Sequence, residues 1–157
     1  MSSVNIGLDE NARKSVAEAL NQTLADTYAL YMKTHAYHWN VTGPQFHTLH
    51  VMFEEQYREM WTALDEIAER VRALGVFAPT SAKALAELSA VENADAAPPP
   101  AADMVKRALD GHETLIKRAR EGLATAEEAG DAASADLLTV RIQSHEKTAW
   151  MLRAMSE

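Results

Sequence analysis

Gly75-Val-Phe-Ala-Pro-Thr-Ser-Ala-Lys-Ala-Leu-Ala-Glu-Leu-Ser-Ala-Val-Glu-Asn-Ala-Asp-Ala-Ala-Pro-Pro-Pro100 separates two pairs of long helical segments, and its length decides how they join. Three consecutive prolines cannot continue a helix. The stretch, with 76–100 as its linker proper, predicts a crossover carrying only one short amphipathic helix, Ala82 to Leu88. Upstream, Val16, Leu20, Leu24, Thr27, Tyr31 and His35 recur at three- and four-residue steps, one face of a helix from about Asp9 to Asn40. Asp9 or Asn11 suits its N-cap. Gly43-Pro44 breaks that helix, and a second stripe from Phe46 to Val71 predicts another from about Pro44 to Leu74, stopped by Gly75. Downstream, a third helix runs from about Ala101 to Ala129. Gly130 ends it, and Asp131 or Ser134 caps a fourth that reaches Met155. Each tight joint makes an antiparallel hairpin, and a linker of about 26 residues can cross the whole bundle between them. The expected fold class is all-α: one four-helix bundle domain over residues 1–157, with a short tail at 1–8.

Composition narrows the function. With no cysteine among 157 residues, disulfide scaffolds, thiolate metal sites and cysteine nucleophiles are excluded. The net charge of −8 opposes a surface devoted to nucleic acid. No run approaches a membrane span and the start lacks a signal-peptide pattern, so the expected location is the cytoplasm.

The second helix carries polar residues in a particular order. His50 and Glu54 are an i, i+4 pair, and so are Asp65 and Glu69. At about 100° per residue, Asp65 lies about 60° round from His50, so all four share one side. Along the axis the pair centres are about 15 residues, or roughly 22 Å, apart. One copy of this helix therefore cannot bring both pairs to one metal ion. Two copies packed antiparallel about a twofold near Glu59–Met60 can, and would do so twice. His38, near the end of the first helix, extends the set to two imidazoles and three carboxylates, a donor mixture suited to Fe(II), Mn or Zn. Taken singly, such a pair is most often a solvated helix face, and Arg58 or Arg70 is placed to neutralise such acids. No Glu-x-x-His pair exists, so an intra-bundle di-iron site has no ligands.

His38-Trp-Asn-Val-Thr-Gly-Pro-Gln-Phe-His-Thr-Leu-His50-Val-Met-Phe-Glu54, followed by Leu64-Asp-Glu-Ile-Ala-Glu-Arg70, resembles the paired signatures of the Dps family (DNA-binding protein from starved cells), the dodecameric mini-ferritins. The resemblance extends over nearly the whole chain and implies a ferritin-like bundle. It also implies a ferroxidase centre shared between two subunits, with iron ligands at His38, His50, Glu54, Asp65 and Glu69. Glu54 stands where many members have Asp, a difference of one methylene. The implied chemistry is oxidation of Fe(II), preferentially by hydrogen peroxide, and storage of ferric mineral in a hollow homododecamer. Trp39 falls beside a ligand, where an indole can intercept stray oxidising equivalents or simply pack the core. His35 and His47 are placed to assist metal entry or to support the ligands. Asp131 and Asp136 resemble the acids lining the family's threefold entry pores, although Asp131 also suits a helix cap.

DNA binding is a separate expectation. Many family members hold DNA with a Lys- or Arg-rich tail, whereas residues 1–8 and Ala154-Met-Ser-Glu157 contain no basic residue. Lys106, Arg107, Lys117 and Arg118 form a stripe on the third helix, but Asp103, Asp110, Glu113 and Glu121 interleave with them. Twelve copies would carry about −96, so weak or absent DNA binding is expected, with DNA protection as the alternative role.

Overall fold

The computed structural model describes residues 4–92 and 95–157; residues 1–3 of the tail and 93–94 of the crossover lie outside the described residues. Five helices follow in order: α1 Glu10–Asn40, α2 Phe46–Ala73, α3 Ala82–Leu88, α4 Ala101–Glu128 and α5 Ala132–Ala154. Asp9 is the cap of α1, its carboxylate accepting from the Ala12 amide at 2.9 Å. Asp131 caps α5 in the same way through Ser134. The second helix begins later than expected: Pro44 belongs to the turn, Gln45 is the N-cap, and Phe46 opens the helix. Gly43 at φ 105° makes that reversal, a backbone region closed to most L-residues.

Side-chain contacts fix the directions. Leu30 of α1 packs beside Gly111 of α4, and Ala19 beside Gly122, so the two helices run antiparallel. On the other side of the bundle, α2 pairs antiparallel with α5, since Glu59 meets Arg141 and Arg70 meets Asp131. With two hairpins so arranged, α2 and α4 point the same way. That geometry requires the long crossover, which the sequence length anticipates.

Two apolar clusters fill the bundle. One holds Leu20, Leu30, Met60, Ile67, Leu115 and Leu138; the other, toward Gly43, holds Tyr37, Leu49, Phe53, Met104 and Leu152. Each large side chain buried there contributes about 1.5–3 kcal/mol. On each of the four long helices the level between them is polar, with Thr34, Gln56, His112, Arg141 and His145 all buried. The crossover is pinned by a carboxylate: Asp26, fully buried on α1, accepts from the Ala90 amide at 2.7 Å and from Ser89 Oγ at 3.0 Å. Arg118 of α4 closes the same contact at 3.3 Å. Further along, Asp95 takes the Tyr37 hydroxyl at 2.8 Å and an ion pair with Arg107. No helix among the described residues is long and apolar enough to cross a membrane.

Candidate metal centre

His38 and His50 flank the Gly43 turn, and the fold crosses them. The His38 Nδ1 donates to the His50 carbonyl at 2.7 Å, and the His50 Nδ1 donates to the His38 carbonyl at 2.8 Å. The rings stack at 3.8 Å between centroids, 16° from parallel. A carbonyl can only accept, so both neutral rings carry their proton on Nδ1 and offer the Nε2 lone pair. Among the described residues neither Nε2 makes a hydrogen bond. Backbone carbonyls that fix the tautomer and raise the basicity of the free nitrogen are the usual support for a metal-binding imidazole.

Glu54 stands one turn after His50 and is held by Arg58, with Oε1 at 2.9 Å from Nε and 2.6 Å from the guanidinium nitrogen. That hydrogen bond holds its carboxyl below the usual carboxylate range. Arg58 thus fills the neutralising role anticipated for it, while Arg70 goes elsewhere, to Ser134 Oγ and the Asp131 carboxylate at 2.8 Å each. Asp65 and Glu69 are exposed on α2 and make no ion pair among the described residues. Asp65 edges an open groove of about 650 Å³ lined by Leu24, Tyr28, Trp61, Leu64, Pro79 and Leu85. The two halves of the expected set remain apart: no three His, Asp or Glu side chains of the described residues converge within one chain.

The neighbouring residues sort themselves. Trp39 is 59% exposed, so its indole does not pack this chain's core. It lies against His35, whose ring stacks on Tyr57 at 3.8 Å; burial lowers the pKa of His35. His47 is exposed. Asp131 is 3% exposed and occupied by the cap and Arg70; burial pushes its carboxyl up, but Ser134 and Arg70 outweigh that and hold it low. Asp136 is exposed on α5.

One constellation escapes the sequence reading. His112 of α4 and His145 of α5 meet Nδ1 to Nδ1 at 2.9 Å in the polar level of the core. Arg141 reaches His145 Nε2 at 3.1 Å and grips Glu59 of α2 through both oxygens, at 2.5 and 2.9 Å. Burial raises the Glu59 carboxyl, but Arg141 reverses this and holds it below its ordinary value. The available signal was that His112 and His145 fall on the apolar stripes of their helices.

A family model described as the ferritin-like domain matches residues 17–157. The chain is 40% identical to the DNA protection during starvation protein 2 of Bacillus anthracis, covering 90% of this chain and 96% of that one. It is also 40% identical to a low-temperature-induced protein of Nostoc, over 100% of this chain and 88% of the relative. Among solved structures, the Dps protein of Vibrio cholerae superposes with a TM-score of 0.93 at 32% identity, over 100% and 98% of the two chains. That of Bacillus brevis superposes at 0.89 with 36% identity, over 94% and 98%. The helical bundle, the long crossover and these likenesses agree, and the chain belongs to the Dps family of ferritin-like proteins.

Proposed function

We propose that this protein oxidises Fe(II), preferentially with hydrogen peroxide, and stores the ferric product, protecting the cell from oxidative stress. The observation that carries the reading is the crossed histidine pair, which leaves two Nε2 lone pairs free, with Glu54 one helical turn after His50. Imidazole nitrogens with carboxylate oxygens, and no thiolate, fit Fe(II) as the substrate. His38, His50 and Glu54 from one copy, with Asp65 and Glu69 from a second, make the five-donor set. The axial separation of about 22 Å between the two halves on α2 is the reason that a twofold-related copy is required.

The protein's part in the chemistry is position and charge. The carbonyl-bound imidazoles hold their orientation before the metal arrives, so little ordering remains to be done on binding. Glu54 exchanges Arg58 for the incoming cation, which replaces one positive partner by another. Consuming Fe(II) and peroxide at one place removes both reactants that generate hydroxyl radical. Six such dimers in a hollow dodecamer supply the storage space.

Vibrio cholerae Dps is described as one of the ferritin-like diiron-carboxylate proteins, which supports iron as the metal here. The name of the Bacillus anthracis relative refers to DNA protection. Here three of the four cations of the helix stripe that could serve DNA are spent on carboxylates: Lys106 pairs with Asp110, Arg107 with Asp95 and Arg118 with Asp26. With a net charge of −8, direct DNA binding is weak or absent in this reading. The test is anaerobic Fe(II) loading followed by a peroxide pulse, with ferric absorbance as the readout. Wild-type rates in a combined Asp65→Asn, Glu69→Gln variant would refute the assignment, and so would a stable monomer in light scattering.

A further inference from the structure

Of the six lysines in the chain, five are exposed and one is not. Lys33 of α1 is 4% exposed, where the crossover lies against α1 and α4. An ammonium in such a place loses hydration that only a close carboxylate restores. Here the neighbouring carboxylates are engaged elsewhere. Asp110 pairs with Lys106 at 2.8 Å, and Asp95 takes Arg107 and the Tyr37 hydroxyl. Among the described residues Lys33 itself has no ion pair. Burial holds its ammonium below the ordinary value; Glu92 and Asp110 oppose this from a distance, and Arg107 adds to it.

The charges that act on Lys33 are also the walls of a pocket. Glu92 of the crossover, with Arg107 and Asp110 of α4, joins Lys33 around a cavity of about 110 Å³. Asp26 fixes the Ala90 edge of it through the backbone amide at 2.7 Å, so the pocket keeps its shape. One water takes about 30 Å³ of liquid, so the pocket admits a molecule of about three or four heavy atoms. A second cavity of about 310 Å³, along the Pro98-Pro99 segment, is also lined by Lys33 and offers a way in.

A lysine short of hydration and close to another cation is a nucleophile, because more of it is the neutral amine. The walls decide which electrophile suits it. Carbon dioxide would turn the amine into a carbamate anion beside Glu92 and Asp110, which like charge disfavours. An uncharged aldehyde gives an imine, whose protonated form carries the positive charge that those carboxylates favour.

We propose that Lys33 is a capture site for small uncharged aldehydes, held as an imine on Nζ. The neutral amine adds to the carbonyl carbon, and the C–N bond forms as the π pair moves to oxygen. The oxygen gains the two protons that the nitrogen gives up, the C–O bond breaks, and water leaves as C=N forms. One amine and one aldehyde become one imine and one water, with no oxidant or reductant consumed. Glu92 and Asp110, in the same wall, are the groups placed to relay those protons. The reaction reverses when the aldehyde is withdrawn. The site shares no residue with the metal centre and stands whether or not iron is the substrate there.

The test treats the assembled protein with acetaldehyde and sodium cyanoborohydride, which reduces an imine to a stable secondary amine. Peptide mapping by mass spectrometry follows all six lysines at neutral pH. Lys33 is expected to be labelled at least about threefold faster than the mean of the five exposed lysines, whereas burial without activation would make it the slowest. In urea sufficient to unfold the chain, the six should react alike. Glyoxylate, an aldehyde that carries a carboxylate, should show no preference for Lys33 in the folded protein. Labelling of Lys33 no faster than that of the exposed lysines overturns the proposal. A preference that persists in urea, or that glyoxylate shares, overturns it as well.

Discussion

The buried histidine pair makes stability depend on pH in a way that can be worked out beforehand. His112 and His145 are each 1% exposed and share a 2.9 Å hydrogen bond. Burial lowers His112 to about 3 and His145 well below its ordinary value, and the Arg141 guanidinium against His145 adds to the penalty on a second positive charge. Glu59, on the far side of Arg141, offsets this only in part. In the unfolded chain both imidazoles titrate near 6.5. Their folded pKa values are depressed, so below about pH 6.5 the unfolded state binds protons that the folded state refuses, and stability falls as pH falls. Each group costs about 1.4 kcal/mol per pH unit in that range. At pH 5 the loss is about 2 kcal/mol for His112, and His145 adds to it in the same direction. The carboxylates held low, Glu59 and Asp131, add their own loss nearer pH 4, and His35, also lowered by burial, adds a smaller loss within this window. The assay is urea unfolding between pH 7 and pH 5 at one fixed protein concentration. A double His112→Leu, His145→Leu variant serves as the comparison, since removing both partners leaves neither ring unpaired. The wild type should lose at least about 2 kcal/mol across this range and the variant should show a clearly shallower profile. Equal slopes in the two proteins would refute the reasoning.

Replacing Asp26 by Ala leaves the Ala90 amide without its buried acceptor and the Arg118 guanidinium without its buried counter-charge. The expected cost is about 3 kcal/mol, seen in calorimetry as a fall in Tm of roughly 6–12 °C. His38→Ala or His50→Ala removes an Nε2 donor and the tie across the turn together. Titration with Fe(II) under anaerobic conditions should show affinity reduced by about a hundredfold or more. Ala at Gly75, where φ is 87° and a Cβ would lie 2.7 Å from Val4 Cγ2, should cost about 1–2 kcal/mol in urea unfolding. Plasmid incubated with the protein at physiological ionic strength should migrate unchanged in a gel; a clear retardation would contradict the pairing of the α4 cations with carboxylates.

The helices, their joints and the crossover were legible because their signals are local. Apolar residues at three- and four-residue steps mark a buried face, and Gly43, Gly75 and Gly130 mark positions where the chain must turn at positive φ. The placement of His50, Glu54, Asp65 and Glu69 along one side of α2 is likewise a property of helical pitch. Their separation by about 22 Å follows from rise per residue without any coordinates. What spacing could not supply was the partner of each polar group. Arg58 and Arg70 look alike in the sequence, yet one reaches Glu54 on its own helix and the other Asp131, 61 residues away. Asp131 both caps α5 through Ser134 and pairs with Arg70, and the second contact has no signal in spacing. The crossing of His38 and His50, and the meeting of His112 with His145, each need two helices set at a particular height and rotation. Periodicity and punctuation are written along one dimension, so the sequence alone determined the elements and their faces. Hydrogen bonds and buried charges depend on distances of a few ångströms between elements, and only the tertiary structure decided those.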